Sequence, residues 1–339
     1  MVRPGARNLI TDVPGLRVGH AGDQRLCTGA TVVLADAPVR TIVDIRGGAP
    51  GTRETAALDV ATLSVKADAI VLSGGSVFGL EAASGVTAWL SAQGRGFQLR
   101  PGAPRVPIVP GAILFDLMIG EPLDPEANPY AQLGKEAVAS ADRQFAIGNA
   151  GAGLGAVAGG YKGGVGSVSA VIDDRVTVGA LAAVNSVGSP LIPGTDVFWA
   201  FALEQGNEFG GRRIREALQQ ISLDLPTDGK RPPPAPGTNT TLLVVATDAA
   251  MPADELKRVA IMATDGFARA LRPVHTLFDG DLLFALTTDA VPIAGDRLFE
   301  LTRIGNVAAD CVARAIARAV YAADSIAGVR SYREVFRVP

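Results

Sequence analysis

Short runs of strand-forming residues, ATVVLA (30–35), TIVDIRGG (41–48) and AIVLSGG (69–75), alternate in the first half of the chain with loops of glycine and proline. Such runs predict buried strands. The period then lengthens. Leu80, Ala83, Val86 and Leu90 recur at helical spacing, which predicts a helix from about Ser76 to Gln93 with Ser76 as its N-cap. A second helix is predicted from about Pro129 to Ala141. Between Gly148 and Gly166 glycine is so dense that a regular helix is excluded, because each interior glycine costs about 1 kcal/mol relative to alanine. That stretch is expected to wrap around the core or line a site.

From Leu223 to Gly237 the chain reads LDLPTDGKRPPPAPG, whose prolines cannot donate to a ladder and favour an extended, exposed linker. A strand from Leu242 to Thr247 and a helix from Pro252 to Arg272 follow it. The helix has proline in its first turn, Asp254 and Glu255 at its positive end, and Leu256, Val259, Ala260, Ala263 and Phe267 on one face. Pro273 stops it. His275 to Phe278 and Leu282 to Thr287 flank Asp279-Gly280-Asp281 in the manner of a hairpin, and an alanine-rich helix from about Asp296 to Asp324 comes last. The alternation of strands and helices predicts an α/β fold, and with no boundary in mid-chain residues 1–339 are expected to form one domain.

Composition narrows the partners. Apolar residues make up 48% of the 339, charged residues 19%, and there are 40 glycines, which predicts a large core, close backbone packing and homo-oligomeric contacts. A formal charge of −3 offers no basic excess for nucleic acid or an anionic membrane. No run reaches the roughly 18 to 20 apolar residues of a membrane span, and the first residues carry no apolar signal core. Cys27 and Cys311 are too few for a disulfide framework or a thiolate zinc site and suit a reducing compartment, so a cytoplasmic location is expected.

The candidate chemistry sits where the linker meets a strand, at Asn239-Thr240. A threonine that becomes an N-terminus serves itself as nucleophile and base, because its α-amine, with an ordinary pKa of about 7.7 to 8.0, takes the hydroxyl proton. No histidine is needed, and neither His20 nor His275 lies in a nucleophile-elbow context. A loop leading into an ordinary strand is the plainer alternative. A rival of another class is a nucleotide-binding oxidoreductase: Gly151, Gly153 and Ala156 fit G-x-G-x-x-A, with Asp173 downstream for a ribose, but Gly159, Gly160, Gly163 and Gly164 argue against the helix that fingerprint requires.

Seven segments in order, ITDVPGLRVGH, DIRGGAPGTRET, LSGGSVFGLEAASGV, YKGGVGS, AAVNSVG, GTNTTLLVVATDA and FDGDLLFALTTD, resemble the L-aminopeptidase/D-alanine esterase-amidase family, which includes β-peptidyl aminopeptidases and nylon-oligomer hydrolases. The likeness spans nearly the whole chain. It implies a four-layer α/β/β/α sandwich and a precursor that cuts itself between Asn239 and Thr240 into an α-chain (1–239) and a β-chain (240–339). It further implies an amide or peptide hydrolase with Thr240 as nucleophile, Asp279 and Asp281 orienting it and its amine, and Asn185 donating to the oxyanion. Lys162 would hold a carboxylate or tune the threonine; the plainer alternative is a solvated loop cation. No metal or organic cofactor is implied, the substrate is a small peptide or amide, and a tetramer of processed units is favoured. One departure stands out. Where several relatives carry a glutamate and a tyrosine, this chain has Ile113 and Phe115, which can neither pair with an ammonium nor donate a phenol, so a more apolar acyl group or another amide is expected. A catalytically silent homologue remains the alternative.

Overall fold

The computed structural model describes residues 1–62, 66–215 and 237–338. Eight principal strands are β1 (Leu16–Asp23), β2 (Thr28–Ile45), β3 (Lys66–Ser73), β4 (Gly111–Ile113), β5 (Gly164–Ile172), β6 (Val176–Asn185), β7 (Thr240–Ala250) and β8 (Leu282–Pro292). The main helices are α1 (Glu81–Ala92), α2 (Tyr130–Ala139), α3 (Ala253–Ala268) and α4 (Arg297–Tyr321). Hydrogen bonding runs β5-β6-β7-β8-β2-β3-β4, with β1 paired on β2. The pairs β7/β8 and β3/β4 are parallel and the other neighbours along this path antiparallel.

The long strand β2 turns this one ladder into two layers. Its pairing with β3 slips between Leu34 and Val39, where Asp36, Ala37 and Pro38 are exposed, and beyond the slip it pairs with β8 from Arg40 to Ile45. Period-two alternation then sorts side chains into three apolar clusters. On the outer face of β2 and β3, Ala30, Val32, Leu34, Ala69 and Val71 pack against α1 and α2. Between the layers, Val33, Ile70 and Leu72 meet Leu181, Leu242, Val244 and Phe284. On the far side, Val178, Leu243, Val245, Leu283 and Ala285 pack against α3 and α4. Three apolar interfaces among helix, sheet, sheet and helix are the four-layer α/β/β/α sandwich that the resemblance implied. Phe284, fully buried at the centre, is the residue whose truncation to alanine opens the largest gap there, at a cost of about 3–5 kcal/mol.

Most predicted elements form where the period placed them. Leu256, Val259, Ala260, Ala263 and Phe267 are all buried in α3, and Asp296 caps α4 by accepting from the Phe299 amide. Three expectations need correction. Ser76 is not an N-cap: Gly75 makes the turn at φ +82°, Ser76 opens a short 3-10 helix (Ser76–Leu80), and α1 begins only at Glu81. The segment 275–278 is not a strand of a hairpin, because β8 runs parallel to β7, a non-local pairing that its turn-like flank concealed. The glycine-dense stretch is loop only in part, since Gly164 and Gly166 belong to β5. A side chain at Gly166 would sit on the backbone of Ala315 and Ala319, so glycine lets α4 lie directly on the strand. The predicted linker 223–237 lies outside the described residues except for Gly237. Among the described residues no helix is long and apolar enough to cross a membrane.

Candidate active site

Strand ends converge on Thr240. Asn185 closes β6 and pairs directly with Thr240, the first residue of β7. Asn239 forms a parallel bridge with Asp279, in the loop that feeds β8. The Thr240 hydroxyl donates to the Asn239 carbonyl oxygen in a very short contact, and the amide of Gly280 donates to that same oxygen at 2.9 Å. Thr240 is almost completely buried. Gly280 is glycine for want of space: a Cβ there would stand 2.6 Å from Thr240 Oγ1.

Four of the segments that carry the family resemblance, DIRGGAPGTRET, AAVNSVG, GTNTTLLVVATDA and FDGDLLFALTTD, meet here. Amides of Arg46 and Gly47 donate to the Asp281 carbonyl at 2.9 and 3.0 Å, and the amide of Ala49 to that of Asp279 at 2.9 Å, so DIRGGAPG cradles the Asp279–Asp281 backbone. Both carboxylates are buried and occupied. Asp279 accepts from the Val187 amide (3.1 Å), the Thr276 amide (3.1 Å) and the Thr276 hydroxyl (2.6 Å). Asp281 accepts from the Thr241 amide (2.7 Å) and the His275 amide (3.1 Å), and its Oδ2 lies 2.9 Å from His275 Nδ1. The Asp281 carboxylate therefore holds the peptide that follows Thr240, the Asp279 carboxylate ties Val187 to Thr276, and neither accepts from the Thr240 hydroxyl. Burial, with the like charge of Asp281 beside it, pushes Asp279 above the usual carboxylate range.

Asn185 is held at both ends of its amide. Its Oδ1 accepts from the Val157 amide at 2.9 Å, while Nδ2 donates to the carbonyls of Phe115 (3.0 Å) and Thr238 (3.4 Å). Phe115 thus meets the site through its main chain. Ile113 is buried with its Cδ1 against Gly51, and its amide donates to the Gly51 carbonyl at 3.1 Å.

Lys162 is not a solvated loop cation. It pairs with Val157 in a two-residue ribbon, is completely buried, and donates Nζ protons to the carbonyls of Gly153 and Gly163, both at 2.8 Å. Burial pulls its pKa down to about 7, against the opposing charges of Asp116 and Cys27. Asp116, equally buried, accepts from Thr28 Oγ1 at 2.7 Å and from the Gly75 amide at 2.8 Å, and burial raises it to about 7. The Tyr130 hydroxyl lies 3.0 Å from Thr28 Oγ1. Asp116, Thr28, His275 and the Gly280 amide are parts of this constellation that sequence reasoning did not assign. Asp116 had one signal, its place directly after Phe115.

The oxidoreductase reading fails on local structure. Gly151–Gly153 is a single 3-10 turn followed by the ribbon strands Val157–Ala158 and Tyr161–Lys162, so no helix follows the glycines to receive a pyrophosphate. Asp173 is an exposed turn residue that accepts from Arg303 and from the chain's first amine. Among the described residues no group of three or more His, Cys, Asp or Glu side chains is placed to hold a metal ion.

The fold is that of an N-terminal-nucleophile hydrolase variant. It is shared with the L-aminopeptidase D-Ala-esterase/amidase from Ochrobactrum anthropi, at a TM-score of 0.69 and 21% identity over 96% of this chain and 89% of that one. Residues 8–333 match Peptidase family S58, and the chain belongs to that family; it is a hydrolase acting on peptide or amide bonds. An uncharacterized aminopeptidase of Mycobacterium tuberculosis is 42% identical over 97% of this chain and 98% of its own length. A 6-aminohexanoate-oligomer endohydrolase of Kocuria sp. is 31% identical over 85% of this chain and 77% of its own length.

Proposed function

We propose that the chain is a precursor that severs its own Asn239–Thr240 bond and then hydrolyses small peptides or amides with Thr240 as an N-terminal nucleophile. One observation carries this reading: the Thr240 hydroxyl lies against the carbonyl of the residue before it, and the Gly280 amide donates to that carbonyl oxygen. Thr240 Oγ1 attacks the Asn239 carbonyl carbon. Negative charge develops on an oxygen already facing an N–H donor, the arrangement that stabilises tetrahedral intermediates. The C–N bond then breaks, the hydroxyl proton passes to the departing nitrogen, and the resulting ester is hydrolysed by water to give the Asn239 carboxylate and a free Thr240 hydroxyl and amine.

In turnover the new amine takes the hydroxyl proton as Thr240 attacks a substrate carbonyl. Asn185 supplies an oxyanion donor. Its long 3.4 Å bond to the Thr238 carbonyl is the one surrendered when residues 238 and 239 withdraw. Asp279 and Asp281 keep Thr240 in place, and Lys162, through the Val157 pairing, stiffens the support behind Asn185. Ile113 and Phe115 offer neither carboxylate nor phenol, which supports an acyl group without a free ammonium, and kinship with the 6-aminohexanoate-oligomer endohydrolase supports an internal amide of an ω-amino-acid oligomer among the candidates.

Denaturing mass spectrometry tests the reading. Purified wild type should give two fragments divided between Asn239 and Thr240, and Thr240→Ala one full-length chain. A wild-type chain that stays whole and inactive on aminoacyl amides, β-peptides, D-alanine amides and aminohexanoate oligomers would favour the silent homologue.

A further inference from the structure

Two consecutive residues, His275 and Thr276, each grip one of the two buried carboxylates beside Thr240. The Thr276–Asp279 contact spans three residues and closes a tight turn in the ordinary way. The His275–Asp281 contact is of another kind. It spans six residues, and both the main-chain amide and Nδ1 of His275 converge on the same oxygen, Asp281 Oδ2. Against a carboxylate oxygen it is Nδ1 that carries the ring proton. His275 holds this position at φ +55°, a left-handed backbone uncommon outside glycine, with its ring edge-on to Phe267 at 4.8 Å between centroids. Its side chain is 23% exposed, whereas that of Asp281 is 2% exposed.

Asp281 in turn fixes both flanks of the reacting residue. Its Oδ1 takes the Thr241 amide, which sets the peptide on the C-terminal side of Thr240. Its own backbone continues from Gly280, whose amide holds the Asn239 carbonyl on the N-terminal side. A rotation of Asp281 would therefore move the Thr240 peptide and the Gly280 donor together.

We propose that His275 is a positioning residue for the reaction at Thr240: by donating Nδ1–H to Asp281 it fixes the carboxylate that sets Thr240 and Gly280 against the Asn239 carbonyl. His275 touches no reacting atom. The proposal rests on the reading of Thr240 as the nucleophile given above.

The test compares His275→Asn with His275→Asp in the full chain. These side chains have nearly the same shape and differ in whether a donor or a further acceptor faces Asp281. Fragment appearance is followed by mass spectrometry after cell-free synthesis, and kcat and KM are then measured on one amide substrate. His275→Asn should cleave within about threefold of wild type. His275→Asp should be slower by about tenfold or more in cleavage and in kcat, with KM within about twofold, as when a group that orients a reacting residue is lost. Thermal unfolding of each variant separates loss of positioning from loss of fold. Equal rates for the two variants, or a defect confined to KM, overturns the proposal. A wild type that stays whole overturns the Thr240 reading and this one with it; a wild type that splits beside an unimpaired His275→Asp overturns this one alone.

Discussion

Asn185 and Thr240 stand opposite each other as the last residue of one strand and the first of its antiparallel neighbour, so the register of β6 on β7 brings an amide donor to the threonine. The distance between them is set by ladder hydrogen bonds rather than by flexible loops, which is the rigidity the proposed reacting pair requires. Asn185→Asp separates donation from placement. The new carboxylate can still accept from the Val157 amide, but it sets an oxygen against the Phe115 carbonyl where an N–H had been. Turnover should fall by about 10²- to 10³-fold, the loss expected for one oxyanion donor, while cleavage, whose oxyanion faces the Gly280 amide, should be far less affected. Single-turnover kinetics on the purified variant measure it, and a loss below about threefold would remove Asn185 from the oxyanion role.

Gly280 offers a test confined to space. Its amide serves the Asn239 carbonyl, and the position of its missing Cβ is 2.6 Å from Thr240 Oγ1. In Gly280→Ala the methyl group must displace either the hydroxyl or the loop, so uncut precursor should accumulate. Hydroxylamine, which attacks esters, tells which step is impaired. If the N-to-O shift is blocked, hydroxylamine leaves the precursor intact. If fragments appear on its addition, the ester forms and Gly280 matters only for hydrolysis.

Much of this was legible from the chain because it depends on local period. Strands β3 and β7, the two halves of β2 though not their union in one strand, helices α3 and α4, and the apolar face of α3 follow from spacing alone, and the order of seven short segments pointed to the fold. What stayed hidden depends on distant partners. Asp-Gly-Asp between two apolar runs reads as a hairpin turn, and only the parallel pairing of β8 with β7 shows that the turn residues face Thr240 across a strand end. Lys162 lies among glycines that look like open loop, yet those glycines bring backbone carbonyls close enough to bury its ammonium. Asp116 reads as an ordinary acid until the fold carries Thr28 and Gly75 to it.

The aspartate pair should respond to removal of either charge. Asp279 is raised by burial and by the charge of Asp281, so its proton is held more tightly in the folded chain than in the unfolded one. Its contribution to stability therefore declines as pH rises from the ordinary carboxylate range through its folded pKa. Asp281→Asn deletes the like charge and should move the Asp279 titration to lower pH, read from the carboxyl carbon shift in selectively labelled protein. A titration that stays in place would assign the whole upward shift to burial.

Lys162 gives a prediction whose sign follows from burial alone. Its pKa falls to about 7 in the fold, while the unfolded chain keeps an ordinary lysine near 10.4. Below pH 7 the amine is protonated in both states, so the stability difference between wild type and Lys162→Met is constant. Between about pH 7 and 10.4 the unfolded chain binds a proton that the folded chain does not, and wild type gains on the variant by about 1.4 kcal/mol per pH unit. Asp116, raised to about 7 by burial and held down in part by the Lys162 charge, goes higher in Lys162→Met, which adds to the divergence in the same direction. Urea unfolding of the two chains at pH 7.5, 8.5 and 9.5 should therefore diverge steadily in favour of wild type. A flat difference across the window means that Lys162 keeps its proton in the fold, and the support behind Asn185 is then an ammonium rather than a neutral amine held by two carbonyls.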